Sequence, residues 1–189
     1  MPITRKSIMT IEAIQIIEAL RFGLKTFNET DSYNESPSIY VIAFNGDQFP
    51  LHLDPGGVKK GDIIYVGKTE SGIKNIIMGG SLGSVLKKYI KFDSIPGTEK
   101  KEGLRDFNFI IENEKILTEW MINNLLVSHL PYSRGRRHLN KLEKEIIYIL
   151  NPILNLNSNA VNKNGTMIKE LREKCRQLAK VKQKELKIL

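Results

Sequence analysis

Three side chains in this sequence, Tyr40, Tyr65 and Glu143, could do acid–base chemistry and hold a divalent cation. A tyrosine can act as a base only when its pKa falls well below the reference value of about 10, which nearby cations could achieve. A carboxylate is the natural hard ligand for Mg²⁺. Taken singly, each tyrosine is more simply a strand residue with its hydroxyl at the surface. The glutamate alone is more simply a solvated helix residue that pairs with Lys141 or Lys144.

Apolar, β-rich runs surround the two tyrosines, and an amphipathic run surrounds the glutamate. The sequence predicts a buried strand over Ser38–Phe44 and a second strand over Asp62–Gly67. Because side chains alternate along a strand, adjacent strands could place both hydroxyls on one face of a sheet. A helix is predicted over Leu139–Leu150. Glu145 lies about 200° around that helix from Glu143 and therefore faces away from it.

The remaining predicted elements are mostly helices. An apolar stripe predicts a helix over residues 8–25, and it consists of Ile8, Ile11, Ile14, Ile17, Leu20 and Leu24. Further predictions are a helix over 84–91, a strand over 106–111, a helix over 113–130 and a long terminal helix from 166. This order favours an α+β fold, in which a small mixed or antiparallel sheet is flanked by helices. A doubly wound fold is less favoured because no helical pattern connects the first two strands.

The charge is concentrated at the C-terminal end of the chain. Residues 1–37 are predicted to be an N-terminal helix and linker, 38–155 the central domain, and 156–189 a basic helical tail. From Ala160 onward, nine basic residues face three acidic ones, so this tail carries most of the net charge of +8. A basic tail indicates a polyanion partner, because each neutralised phosphate releases condensed counterions. The alternative interpretation is a solvated helix face.

Several classes of protein are disfavoured by what the sequence lacks. No apolar run approaches the roughly 20 residues that span a bilayer, so no membrane partner is expected. Glu12 and Glu18 interrupt the N-terminal segment, which therefore does not resemble a signal peptide. Cys175 is the only cysteine, which excludes an intramolecular disulfide and a cysteine-built zinc site. These absences predict a cytoplasmic protein.

The order of the motifs resembles the GIY-YIG nuclease superfamily. Ser38-Ile39-Tyr40 stands where the family has Gly-Ile-Tyr, and Tyr65-Val66-Gly67 stands where it has Tyr-Ile-Gly. The pair Leu142-Glu143 and the later run Pro152-Ile153-Leu154-Asn155 resemble the family's late motif, a Leu-Glu pair on a helix followed by proline and Leu-Asn. Residues 117–128 are similar to the helix that precedes the glutamate in restriction-endonuclease-like members. The matching parts cover about residues 38–155.

This resemblance implies a metal-dependent endonuclease, of a restriction or mobile-element kind, that hydrolyses phosphodiester bonds in double-stranded DNA. Glu143 would bind Mg²⁺ or Mn²⁺. One tyrosine, with Tyr40 preferred, would act as the general base, and the other, Tyr65, would position water or phosphate. Lys68 would lower the pKa of the second hydroxyl or hold a phosphate. Asn155 would brace the site or contact phosphate, as the matching asparagine does in relatives.

One residue of the family pattern is missing. Relatives carry an arginine on the helix after the second tyrosine, where its planar fork grips the phosphate being cleaved. This sequence has no arginine between Arg21 and Arg105. Lys88 is the best match, followed by Lys87 and then Lys74. Because lysine supplies charge but not the two-pronged contact, we expect weakened catalysis or an altered geometry.

Four basic residues are predicted to contact the DNA backbone. They are Lys87 and three arginines of a loop over Tyr132–His138, namely Arg134, Arg136 and Arg137. His129, at the end of the predicted helix over 113–130, is interpreted as a packed or capping residue rather than a base. Symmetric cutting of a palindrome would suggest a homodimer, although no residue pattern marks an interface.

Two other functions remain compatible with the sequence. The first is a catalytically weakened module of the same fold that binds nucleic acid without cleaving it, and the missing arginine is its chief support. The second is an RNA-directed or protein-interaction role, in which the tail docks as a helix onto a partner.

Overall fold

The computed structural model describes residues 10–26, 36–47, 57–70, 119–155, 158–162, 165, 166 and 170. The predicted helix over 84–91, the predicted strand over 106–111 and nearly all of the basic tail lie outside these residues. Three lysines singled out by the sequence also lie outside them: Lys74, Lys87 and Lys88.

Four antiparallel strands form a single sheet in the order β1-β4-β2-β3. They are β1 at Lys25–Thr26, β2 at Ser38–Phe44, β3 at Ile63–Thr69 and β4 at Leu125–Pro131. Every residue of β2 is buried, as expected for an interior strand that reads as a continuous apolar run. A small antiparallel sheet with helices packed on it confirms the α+β prediction.

Two helices cover one face of this sheet: α1 spans Ile11–Phe22 and α2 spans Arg136–Leu150. The Thr10 hydroxyl caps α1 by accepting from the Ala13 N–H at 3.2 Å. The Thr10 N–H donates to a Glu145 carboxylate oxygen at 2.6 Å, so a side chain of α2 ties down the start of α1.

A single core joins the helices to the sheet. Its buried members are Ala13, Ile17, Leu20, Ile39, Val41, Ala43, Ile63, Val66, Leu139, Leu142, Ile146 and Ile147. The core therefore holds β2, β3 and α2, the elements that carry the tyrosines and the glutamate, in a fixed arrangement. Among the helices in the described part of the chain, none has the length and hydropathy needed to cross a bilayer.

The prediction of one continuous helix over 113–130 was wrong at its C-terminal end. Residues 119–124 are helical, but Leu125–Pro131 is strand β4, which pairs with β2 along its length. A short apolar run cannot be assigned to helix or strand by periodicity alone. Backbone pairing with an interior strand decided the outcome, and it places His129 on a strand rather than at a helix end.

The predicted apolar stripe of α1 was also partly wrong. Ile11 is 74% exposed and Ile14 is 37% exposed, whereas Ala13, Ile17 and Leu20 face the core. Each three-residue step turns 300° around a helix, so a series of such steps drifts off any one face. The helix buries the face on which the small Ala13 lies.

Candidate active site

The two tyrosines lie on one face of the sheet, on neighbouring strands. In the register of β2 and β3, Tyr40 lies opposite Gly67, and Ile42 lies opposite Tyr65. Residues opposite each other, and residues two apart on a strand, share a face, so Tyr40 and Tyr65 point the same way. Their ring centroids are 6.1 Å apart.

Gly67 makes room for the ring of Tyr40. A β-carbon at position 67 would lie 2.4 Å from both Cζ and the hydroxyl oxygen of Tyr40. Real side chains do not approach so closely, so any residue other than glycine would displace the ring. The glycine of the Tyr65-Val66-Gly67 run is thus needed for space above the strand.

Tyr40 is almost wholly buried, with 3% of its surface exposed. Burial raises the pKa of Tyr40 well above its usual value, and the charge of Tyr65, its hydrogen bond and the charge of Glu143 raise it further. A base at neutral pH needs the opposite shift. This finding opposes the prediction that Tyr40 is the base and favours a protonated hydroxyl at this position. Tyr65 is partly exposed, so its ring is the more accessible of the two.

The protonation of Tyr40 can be tested by alkaline titration of tyrosine absorbance. We expect Tyr40→Phe to leave the amplitude of the step near pH 10 unchanged in the folded protein, because Tyr40 does not ionise there. In denaturant the same substitution should remove the signal of one of the six tyrosines. A loss of amplitude in the folded protein at pH 10 would contradict the buried, protonated state.

Glu143 is half-buried on α2, next to the core residue Leu142. Burial raises the pKa of Glu143, while the positive charges of Lys68 and Lys144 act in the opposite direction. No hydrogen bond or ion pair with another described residue engages this carboxylate. Its charge also acts on Tyr40, so the two groups are electrostatic neighbours.

These properties fit a divalent cation. A half-buried carboxylate without a hydrogen-bond donor is stabilised by a cation, and oxygen is the donor that Mg²⁺ prefers. The described residues contain no cluster of three or more histidine, cysteine or acidic side chains. A single carboxylate is sufficient for Mg²⁺, which commonly binds through one or two carboxylates together with water and substrate phosphates.

Asn155 is buried and clamps the backbone of β3 between Tyr65 and Gly67. Its Oδ1 accepts from the Val66 N–H at 2.8 Å, and its Nδ2 donates to the Val66 carbonyl at 2.8 Å. The Leu154 N–H adds a bond to the Ile64 carbonyl at 3.0 Å. Of the two sequence-based alternatives, bracing the site and contacting phosphate, this geometry favours bracing.

Loss of the Asn155 clamp should destabilise the protein. Asn155→Ala leaves both polar groups of Val66 buried without partners, which should lower the free energy of unfolding by about 2–4 kcal/mol. Chemical denaturation would measure this change. Asn123→Ala, at an exposed position, is the control and should change stability by less than about 0.5 kcal/mol. A similar effect of the two substitutions would contradict the clamp.

Two of the three arginines predicted to contact DNA form ion pairs with acidic side chains of the protein. Arg134 lies 3.1 Å from Glu12 of α1, and Arg136 lies 2.8 Å from Glu70, which follows β3. Arg136 and Arg137 belong to the first turn of α2 rather than to a loop. Within the described residues, Arg137 has no ion-pair partner.

Lys68 also contacts Glu70, at 3.6 Å, so this carboxylate lies between a lysine of β3 and an arginine of α2. Lys68 is half-buried, and its charge lowers the pKa of Glu143 against the larger effect of burial. Tyr40 and Tyr65 share one face of the sheet, whereas Lys68, opposite the core residue Ile39, lies on the face that the helices cover. The Glu143 carboxylate interacts electrostatically with both Tyr40 and Lys68, and Lys88 lies outside the described residues.

Sequence reasoning missed the position of His129, which it interpreted as a packed or capping residue at a helix end. His129 lies opposite Tyr40 in the register of β2 and β4, on the same face of the sheet. Burial lowers the pKa of His129, which favours the neutral imidazole. The prediction of a helix over 113–130 concealed this position, and the composition of the run gave no strand signal.

Comparison with known proteins adds one finding. A family model described as the GIY-YIG catalytic domain matches residues 39–178, which is most of the chain. The match includes both tyrosines, the glutamate and the asparagine clamp, but it leaves out α1. No curated protein and no solved structure significantly matches the chain.

Proposed function

Because the chain belongs to the GIY-YIG nuclease superfamily, we propose that it is a divalent-metal-dependent endonuclease that hydrolyses phosphodiester bonds in double-stranded DNA. Membership of the family indicates a nuclease and a nucleic-acid substrate. One observation carries the finer proposal: the half-buried Glu143 carboxylate, which accepts no hydrogen bond from any described residue, interacts electrostatically with Tyr40, and Tyr40 lies beside Tyr65. A restriction-type role and a cytoplasmic location belong to the same proposal.

Each described residue has a defined task in this proposal. Glu143 holds Mg²⁺ or Mn²⁺, which when bound supplies positive charge to the phosphoryl and leaving oxygens. Tyr40 stays protonated and orients the Tyr65 phenol through their hydrogen bond. Tyr65 in turn positions the attacking water. Lys68 neutralises charge on the phosphate, as electrostatic stabilisation of a developing oxyanion requires.

Basic side chains around the site hold the DNA backbone. Arg137, exposed and without a partner among the described residues, can bind phosphate directly. Arg134 must exchange Glu12 for phosphate, a small cost because exposed ion pairs contribute little, whereas Arg136 keeps its ion pair with Glu70. Lys87, Lys88 and the basic tail extend the contact in this proposal.

The test is cleavage of supercoiled duplex DNA by the purified full-length protein. We expect nicked and linear products in Mg²⁺ or Mn²⁺ and none in EDTA. Arg137→Gln should weaken DNA binding on all sequences and reduce the slope of affinity against salt by about one. Cleavage that persists in EDTA would contradict the metal dependence, and the absence of cleavage in every metal would contradict the nuclease.

A second candidate is a binding module of the same fold that has lost cleavage. The absence of any arginine between Arg21 and Arg105 favours it, since lysine cannot grip phosphate with two prongs. This candidate predicts salt-sensitive DNA binding without cleavage. If the original protein binds DNA without cleaving it, Lys88→Arg tests this candidate further. A site that lacks only the arginine should gain cleavage activity in Mg²⁺.

A further inference from the structure

A cleft of about 450 Å³ opens beside the proposed active site, where β2 begins, β4 ends and α2 begins. Its walls include Pro37, Pro131, Tyr132 and Leu139, and its polar groups include Glu70 and Arg136. We propose that this cleft receives one unstacked nucleobase of the DNA and so contributes to sequence recognition. The proposal rests on the proposed function, because it takes DNA as the substrate.

The walls suit the flat face of a base. Tyr132 supplies an aromatic ring, and Pro37, Pro131 and Leu139 supply apolar surface. Unstacked bases are commonly held by stacking on aromatic side chains, because every base has a π-face. A pocket of this volume, mostly apolar with a few polar groups, is within the usual range for small planar ligands.

The polar groups suit the edge of a base rather than a phosphate. Glu70 and Arg136 form an ion pair at 2.8 Å, so their charges cancel within the cleft. A phosphate would be repelled by the carboxylate. A nucleobase edge is neutral and carries both donors and acceptors, which match a carboxylate acceptor and a guanidinium donor. Ser36 and Ser133 add hydroxyl groups to the lining.

The aromatic wall is fixed before any ligand binds. The Tyr132 hydroxyl donates to Glu12 of α1 at 2.9 Å, and His138 contacts the same hydroxyl through Nδ1. The Tyr132 and His138 rings are stacked, with centroids 5.7 Å apart and planes 17° from parallel. Burial, followed by the contact with Glu12, raises the pKa of Tyr132 to about 12, so its hydroxyl stays protonated. A preorganised wall reduces the entropy lost on binding.

The cleft lies within reach of the proposed cut. Leu139 precedes Glu143 by about one turn of α2, and Arg136 precedes it by about two turns, or roughly 10 Å along the helix. Successive nucleotides of a DNA strand advance about 3.4 Å along the axis. A base held in the cleft is therefore within a few nucleotides' reach of Glu143. Glu70 links the two places, since it contacts both Lys68 and Arg136.

Selection from a random duplex library in EDTA tests the cleft by binding alone. The full-length protein should select a motif, and Arg136→Lys, which keeps the charge but loses the fork, should reduce the preference about tenfold at a single position. Arg21→Lys is the matched control: it makes the same exchange at an exposed arginine of α1, outside the cleft, and should leave the motif unchanged. Replacing the identified base by 2-aminopurine should then give a rise in fluorescence on binding, because the base leaves the stack.

Three outcomes would overturn the cleft assignment: no motif is selected, Arg136→Lys leaves the motif unchanged, or the fluorescence of the 2-aminopurine does not rise. Binding and cleavage are measured separately here. A protein that selects a motif through Arg136 but never cuts would contradict the nuclease and support the cleft. A protein that cuts DNA with a sequence preference independent of Arg136 would support the nuclease and contradict the cleft.

Discussion

Replacing Glu143 by Gln should reduce DNA cleavage at least about 10²–10³-fold, the usual loss when one electrostatic contact to a transition state is removed. Glutamine keeps the shape of the side chain but loses the charge that would hold a divalent ion. The described residues contain no group of three or more histidine, cysteine or acidic side chains that could hold the ion instead. Nicking assays in Mg²⁺ and Mn²⁺ would measure the loss, and equal activity of the two proteins would reject the assigned role.

The same substitution should stabilise the protein in the absence of metal. Burial raises the pKa of Glu143, so the folded state favours the protonated form more than the unfolded chain does. Its contribution to stability is greatest below the unfolded pKa of about 4.3 and is lost as pH rises through the folded pKa. At neutral pH the ionised group therefore destabilises the fold. Glutamine removes that charge, so we expect the Tm at neutral pH to rise.

Binding of a divalent metal should reverse which of the two proteins, the original or Glu143→Gln, has the higher Tm. A ligand that binds only the folded state raises stability by mass action, so Mn²⁺ should increase the Tm of the original protein but not that of Glu143→Gln. Glu145→Gln is the matched control on the same helix. Its side chain points to the Thr10 N–H, and glutamine can still accept that hydrogen bond. Glu145→Gln should keep both cleavage and the response to Mn²⁺.

Strands and helices whose apolar pattern runs without interruption could be predicted from the sequence alone. The strand Ser38–Phe44 was predicted with its bounds, because seven consecutive apolar or small residues bounded by polar segments are typical of an interior strand. The helix that carries Glu143 was predicted to end at Leu150, where it does end, although it begins at Arg136 rather than Leu139. Local sequence dictates these elements, so no knowledge of distant partners was needed.

Elements that depend on distant partners could not be predicted. Strand β4 has the composition of a helix face, and only its pairing with β2 makes it a strand. The strand Lys25–Thr26 has two residues, and it exists because it pairs with Val127 and Leu126. Contacts between polar side chains that are distant in the sequence could not be predicted either. Nothing in the local sequence indicates that Glu12 contacts Arg134 and Tyr132, which follow it by more than a hundred residues.

For the candidate site, the residue types could be predicted from the sequence, but the environment of each side chain could not. Resemblance to the family's motifs identified both tyrosines, Glu143 and Asn155 as candidates. It could not indicate that Tyr40 is nearly buried, because burial depends on how the ring lies across Gly67. Burial also raises the pKa of Tyr40, which favours a protonated hydroxyl at this position.

Gly67→Ala should reduce cleavage about 10²-fold or more without touching any group that contacts substrate. The new methyl group would lie 2.4 Å from the Tyr40 Cζ and hydroxyl oxygen, so the ring must move. A displacement of about 1 Å from a working geometry commonly reduces activity by that factor. Overpacking should also lower the free energy of unfolding by about 1–3 kcal/mol, which leaves an ordinary domain folded.

Two further variants separate displacement of the ring from general loss of structure. Gly57→Ala is the matched control, because a β-carbon there meets nothing within 4 Å, and it should leave cleavage and stability unchanged. Tyr40→Phe keeps the ring in place and removes only the hydroxyl, so it should lose cleavage with little loss of stability. Circular dichroism and denaturant titration of all three variants measure folding apart from activity. If Gly67→Ala folds and cleaves like the original protein, the close approach of Tyr40 to β3 is not needed for cleavage, and the role given to the tyrosine pair fails.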